Sequence, residues 1–230
     1  MKNSILKTTL LSAAILAIST PYAVAGKWNQ QTTDSTSQTQ TVSALTSFEV
    51  ESLKFMREEE KLARDVYLSL YDVWGVPIFK NIADSEQKHT DSVANLLTKY
   101  GIEDPVKSDA IGDYTNPDFN ELYHALVEYG SYNYEQALKV GTEIEELDIA
   151  DLNEQLSIVK KSDIINLYNN LLKGSRNHLK SFYSLLTQAG FEYTPTHITQ
   201  EEFDEIVNSD SETGNINTTN TTSGKGRRGR

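Results

Sequence analysis

Apolar residues recur by threes and fours over four long stretches of this chain, and glycines close those stretches at Gly75, Gly101 and Gly190. That spacing is helical, and no run alternates in the period of two that a strand needs, so the expected class is all-α. The first helix opens at the capping box Thr46-x-x-Glu49 and runs to about Val73. Pro77 suits the first turn of a second helix, which continues to Tyr100 on a stripe of Phe79, Ile82, Val93, Leu96, Leu97 and Tyr100. A longer connection, residues 101–133, carries Pro105, Gly112, a helix start at Asn116-Pro117 and a short helical piece ending near Gly130. The third long helix is expected from about Tyr134 to Ile149. The fourth should run from near Ser162 to Gly190, with Ile164, Tyr168, Leu171, Leu172, Leu179, Phe182, Leu185 and Leu186 turned inward. A second box, Thr199-x-x-Glu202, signals a short last helix.

The flanks are different. Lys2 and Lys7 precede an apolar stretch from Leu10 to Ile18, and Ala23-Val24-Ala25 is a small-x-small cleavage site. This is the pattern of a secretory signal peptide, residues 1–25, cut after Ala25, which predicts a periplasmic or secreted protein. Residues 26–45 are rich in Gln, Thr and Ser, and residues 209–230 are similarly polar, so both read as disordered. The latter end in a basic cluster, Lys225, Arg227, Arg228 and Arg230, which either contacts anionic cell-envelope polymers or is simply solvated. Residues 46–208 then form one helical domain with one core.

Composition excludes several functions. There is no cysteine, which rules out thiolate chemistry, zinc ribbons and cysteine-ligated clusters. The formal net charge of -12 becomes -14 without Lys2 and Lys7, which argues against non-specific nucleic-acid binding and for attraction of cations. No later run is apolar for long enough to span a bilayer.

The informative residues are polar ones on apolar faces. Glu86 and His89 are three apart in the middle of the second helix's stripe, within the arc of Ile82, Val93 and Leu96. His178 lies on the inward face of the fourth helix with Ser175 a turn before it, an incomplete echo of the same step. On the first helix Glu60 aligns with Met56, Ala63 and Tyr67; Glu59 is the reserve at the stripe's edge and Glu58 points away. On the third, Glu145 and Asp148 fall inside the arc of Leu138, Gly141, Ile144 and Leu152, whereas Glu143 and Glu146 face outward. Asp148 also admits a reading as a cap at a fraying helix end, and Gly141 allows close helix packing. Buried carboxylates and imidazoles cost free energy unless something binds them. Glu60, Glu86, His89, Glu145, Asp148 and His178 are therefore the expected ligands of a metal ion. Oxygen donors mixed with two imidazoles suit iron or manganese. The competing reading for each histidine is a hydrogen-bonded core residue. His124 and His197 are expected at the surface.

Two hairpins joined by one long crossover, with these residues inside, resemble the ferritin-like superfamily of dimetal-carboxylate bundles, rubrerythrins included. Glu60-x-x-Ala63-x-x-x-Tyr67 looks like the first-helix signature, Glu86-x-x-His89 the second, and Glu145-x-x-Asp148 the third-helix acidic pair. Over about Phe48–Gly190 the chain is most similar to exported ferritin-like proteins grouped as domain of unknown function 2202. The resemblance implies a four-helix bundle and a dinuclear centre. It also implies a glutamate where this chain has Ser175, so the centre is expected to be one carboxylate short, and dinuclear or mononuclear. Three functions follow: a metal-binding protein without catalysis, a redox enzyme of the ferroxidase or peroxidase type, and a structural or interaction bundle whose site has decayed. Tyr67 and Tyr168 are candidates for hydrogen bonds to the ligands. Metal ions are the expected partners, and a homodimer is compatible with the sequence.

Overall fold

The computed structural model describes residues 45–214, all of whose regular structure is helical. The signal peptide, nearly all of the 26–45 linker and the basic cluster at 225–230 lie outside the described residues. The elements are α1 (Ser47–Trp74), α2 (Pro77–Tyr100), α3 (Pro117–Gly130), α4 (Tyr134–Ile158), α5 (Ser162–Gln188) and α6 (Gln200–Val207). Helices α1 and α2 form one hairpin and α4 and α5 the other. The long crossover between them carries α3, which packs on α1 and α4, while α6 packs on α5.

The boundaries follow local chemistry. Thr46 Oγ1 accepts from Glu49 N–H at 3.2 Å and Thr46 N–H donates back to Glu49 Oε2 at 2.9 Å, closing the first capping box. Gly75 and Gly101 end α1 and α2 in the left-handed region, at φ 63° and 67°, where a side chain would be strained. Asn116 and Asn133 accept from Asp118 and Gln136 N–H at 3.0 and 2.8 Å, starting α3 and α4. The box at α6 is only half formed. Thr199 accepts from Glu202 N–H, but the Glu202 carboxylate turns to Asn153 Nδ2 at 3.2 Å.

Helix α4 passes the expected end at Ile149 and continues to Ile158. Leu152 is fully buried, so a turn with no glycine or proline is held in register by packing. Residues 209–214, placed in the polar tail on composition alone, lie against α5. There the Arg176 guanidinium donates to both Glu212 oxygens at 2.6 Å.

The core is divided. One apolar cluster gathers around Tyr67, Leu70, Phe79, Ile82, Leu138 and Phe182, and a second around Leu53, Met56, Val93, Leu97, Ile149 and Leu171. On α1 the break falls between Met56 and Leu62, where Glu59 and Glu60 sit; on α2 it falls between Ala83 and Val93, at Glu86 and His89. A polar layer therefore crosses the bundle at mid-height. Among the described residues no helix is long and apolar enough to cross a membrane.

Candidate metal centre

Each long helix sends side chains into this layer. Glu60, Glu86 and Glu145 are fully buried, and Asp148 is 1% exposed. Glu60, Glu86 and His89 offer ligand atoms within 4.8 Å of one another; so do Glu86, Glu145 and His178. Glu86 belongs to both groups. Its Oε2 lies 2.6 Å from His89 Nδ1 and its Oε1 lies 2.6 Å from His178 Nδ1. The two imidazoles stack with centroids 5.6 Å apart. The arrangement is nearly symmetric: Glu60 Oε2 is 3.1 Å from His89 Nδ1, and Glu145 Oε2 is 3.4 Å from His178 Nδ1.

These contacts are close, but most are not hydrogen bonds. Neither Glu86 oxygen, nor Glu145 Oε2, nor His178 Nδ1 has a partner in hydrogen-bonding geometry, and Glu60 Oε1 and Asp148 Oδ2 lack one as well. Distances of 2.6 Å off the N–H axis mean that lone pairs of nitrogen and oxygen converge without a proton aligned between them. Buried polar atoms are normally paired, so a concentration of unpaired ones in one layer calls for a missing partner. Three carboxylates and two imidazoles would be satisfied by one or two divalent cations.

The electrostatics agree. Burial pushes the Glu60 carboxyl up to about 7, against the opposing effect of His89. Burial and the neighbouring acids raise Asp148 well above its ordinary range, and burial raises Glu145 despite His178. Glu86 goes the other way: burial opposes ionisation, but His89 and His178 together hold its carboxyl low. Burial disfavours a charged His178, yet Glu86 and Glu145 raise it to about 10. Without an ion the layer thus distributes protons among groups that cannot all be satisfied.

Surrounding residues fix these positions. Tyr67 Oη donates to Glu145 Oε1 at 2.6 Å. Tyr168 does not reach the ligands; its hydroxyl pairs with Ser52 Oγ at 2.7 Å. Ser85 Oγ lies 3.1 Å from His178 Nε2 and orients that ring. A Cβ added at Gly174 would sit 2.5 Å from His89 Cε1, so only glycine on α5 admits the imidazole. Gly141 does the same for the Phe182 ring, also at 2.5 Å. Ser85 and Gly174 had no signal in the sequence, because neither lies on its helix's apolar stripe.

Some sequence-expected residues sit elsewhere. Asp148 is in the layer, inside a helix and not at its end, but in neither ligand group. Ser175 is buried, and its hydroxyl donates to Leu171 O at 3.2 Å within its own helix. Glu58 is buried under the crossover, where its Oε1 accepts from Thr115 N–H at 2.5 Å and Asn116 N–H at 3.2 Å. Glu146 is buried too: its carboxylate accepts from Tyr193 Oη at 2.6 Å and from the N–H groups of Thr196, His197 and Ile198. His197 is half-buried beside Glu143, with Nε2 3.7 Å from that carboxylate; His124 is exposed as expected.

A family profile described as "Uncharacterized protein domain (DUF2202)" matches residues 49–210. An uncharacterized protein of Methanocaldococcus jannaschii, MJ0754, is 55% identical over 166 residues, spanning 72% of this chain and 90% of that relative. The crystal structure of hypothetical protein MJ0754 superposes with a TM-score of 0.72 at 52% identity, covering 77% of this chain and 100% of that one.

Proposed function

For this chain, which belongs to the DUF2202 family, we propose a role as an exported, ferritin-like metal-binding protein with a carboxylate/histidine centre for iron or manganese. Glu60 and His89 would hold one ion, Glu145 and His178 the other, and Glu86 would bridge them. The observation that carries this reading is Glu86: a fully buried carboxylate, each oxygen 2.6 Å from a different imidazole and neither in a hydrogen bond. A pair of core hydrogen bonds would align a proton on each contact; two ligands facing a common ion would not. The long crossover supports the ferritin-like assignment. Export rests on Lys2, Lys7, the Leu10–Ile18 stretch and the Ala23-Val24-Ala25 site.

Asp148 stands by as a further acid on the centre's flank, and Ser175 leaves the fourth-helix carboxylate position unfilled. Metal binding is therefore favoured over catalysis, since the missing carboxylate would weaken one of the two ion positions and oxygen chemistry of the ferroxidase kind needs both.

Metal analysis of untagged protein, before and after anaerobic loading with Fe(II) or Mn(II), tests the reading. Two equivalents are expected in the native chain and none in Glu86→Gln. Retention of both ions by Glu86→Gln would refute a bridging role. No uptake by the native chain would leave the structural-bundle reading, and turnover of Fe(II) on exposure to air would move the protein to the ferroxidase class.

A further inference from the structure

Beside the centre, and outside both ligand groups, lies a second set of acids. Glu59 is 2% exposed, and no hydrogen-bond donor among the described residues reaches either of its oxygens. Asp148, 1% exposed, has its Oδ2 equally unpartnered. Both line a cavity of about 10 Å³, room for one water-sized body, whose wall also includes Leu62, Leu126, Leu147 and a third acid, Glu143. Asp151, one turn along α4 from Asp148, has its carboxyl within hydrogen-bonding reach of Glu59. Asp151 is only partly buried, and the groups that act on its carboxyl are Glu59, Glu154 and His197.

The set forms a file. It begins at half-buried Asp151, passes Glu59 and reaches Asp148, whose charge acts on Glu60, Glu145 and Glu86. Two facing carboxylates with no donor between them are satisfied only by a proton or by a cation. The three acids are not gathered as tightly as the two ligand groups, which suits passage better than retention. On another side of the centre His89 packs against Gly174 so tightly that a methyl group would not fit between them, although the His89 and His178 side chains keep 14% and 12% of their surface exposed.

We infer that Asp151, Glu59 and Asp148 are the entry route along which a divalent cation passes from the surface to the centre. The inference rests on the metal-binding reading and adds a rate to it. A narrow, water-poor passage of one sign of charge raises the local cation concentration and speeds association. Glu59 is the middle step, and neither of its oxygens is supplied by an N–H or hydroxyl donor among the described residues.

Stopped-flow absorbance on mixing metal-free full-length protein with Co(II), paired with equilibrium dialysis, tests it. Glu59→Gln, and separately Asp151→Asn, should slow uptake about tenfold or more while leaving the equivalents bound at equilibrium unchanged. The partly exposed Asp151 keeps the test open should the buried substitution disturb folding, which circular dichroism would reveal. Native-like uptake rates in both variants would overturn the route while leaving the centre intact. A fall in equivalents for Glu59→Gln would overturn it also, making Glu59 a ligand. No Co(II) uptake by the native chain would instead be the failure of the centre itself.

Discussion

Glu58 and Asp65 on α1 are as deeply buried as Glu59 and Glu60, yet their surroundings are opposite in kind. Asp65 accepts from Lys61 Nζ at 2.6 Å, the Arg64 guanidinium at 2.7 Å, Gly112 N–H at 3.0 Å and Tyr114 Oη at 2.9 Å. Lys61 itself is fully buried, donates to Ala110 O at 2.8 Å and lies 4.4 Å above the Tyr114 ring. Glu58, Glu49 and Glu146 are likewise supplied by backbone N–H groups, and each fastens a connection to a helix: Glu49 holds Lys160 and Lys161 N–H at 3.0 Å. On the inner face of the same helix the acids have almost no donors. One set of buried carboxylates is supplied with donors by the protein, and the other is not. Burial alone does not separate the two sets; the supply of donors does.

The largest expected effect is on the supplied side. Asp65→Ala leaves Lys61 buried without its partner and should cost about 3–5 kcal/mol of stability, measured by chemical denaturation. Glu60→Gln is its inner counterpart. It should change metal-free stability by less than about 1 kcal/mol, since a glutamine oxygen can still pair with His89 and Glu60 Oε1 has no donor to lose, yet remove one equivalent of metal. Equal destabilisation by the two substitutions would break the distinction. The two close-approach glycines sharpen it further. Gly174→Ala and Gly141→Ala should each cost about 1–3 kcal/mol by overpacking, but only Gly174→Ala, which displaces His89, should weaken metal retention in dialysis.

Acidity provides a fourth comparison. Burial holds Glu60 at about 7, above its ordinary 4.5, so its contribution to stability is full below 4.5 and lost as pH rises through 7. Glu59 and Asp148, raised mainly by burial, act in the same sense. His178, at about 10 through Glu86 and Glu145 despite burial, contributes fully below 6.5 and loses that contribution as pH rises through 10. The melting temperature of metal-free protein should therefore fall between pH 5 and 8. Metal-loaded protein should not follow, and loading at pH 6 should release protons to an indicator dye. The smallest effect belongs to the partly exposed Arg176–Glu212 pair: Glu212→Ala should cost less than about 1 kcal/mol and leave metal content alone.

Much of this was legible in the sequence, for a specific reason. Caps and glycines announce helix ends through local chemistry, so Thr46, Gly75, Pro77, Gly101 and Asn116 mark their elements correctly. Glu60, Glu86, His89, Glu145 and His178 were visible because a polar residue in an apolar arc stands out against one helix. Glu58 and Glu146 were misplaced as outward for the same reason. A helical wheel knows the bundle's interior, but not that the crossover and the segment after α5 fold over the outer faces. Lys61 escaped notice likewise: nothing local says that residues 110–114 will enclose it. The end of α4 was set early, near Ile149, because no local signal marks the following turn, whereas Leu152 is drawn into the core from it.

The centre is drawn half from each hairpin: Glu60, Glu86 and His89 from α1 and α2, Glu145 and His178 from α4 and α5. Each hairpin has its own tight contacts, so the seam between them is the natural plane of partial opening. Ions held at that seam would act as rivets between two otherwise self-sufficient units. Their binding energy would be felt as resistance to the hairpins parting, and not as added rigidity within either one. Amide exchange should register this directly, with the buried turns around Glu60 and Glu145 slowing on loading while the α1–α2 and α4–α5 connections keep their rates.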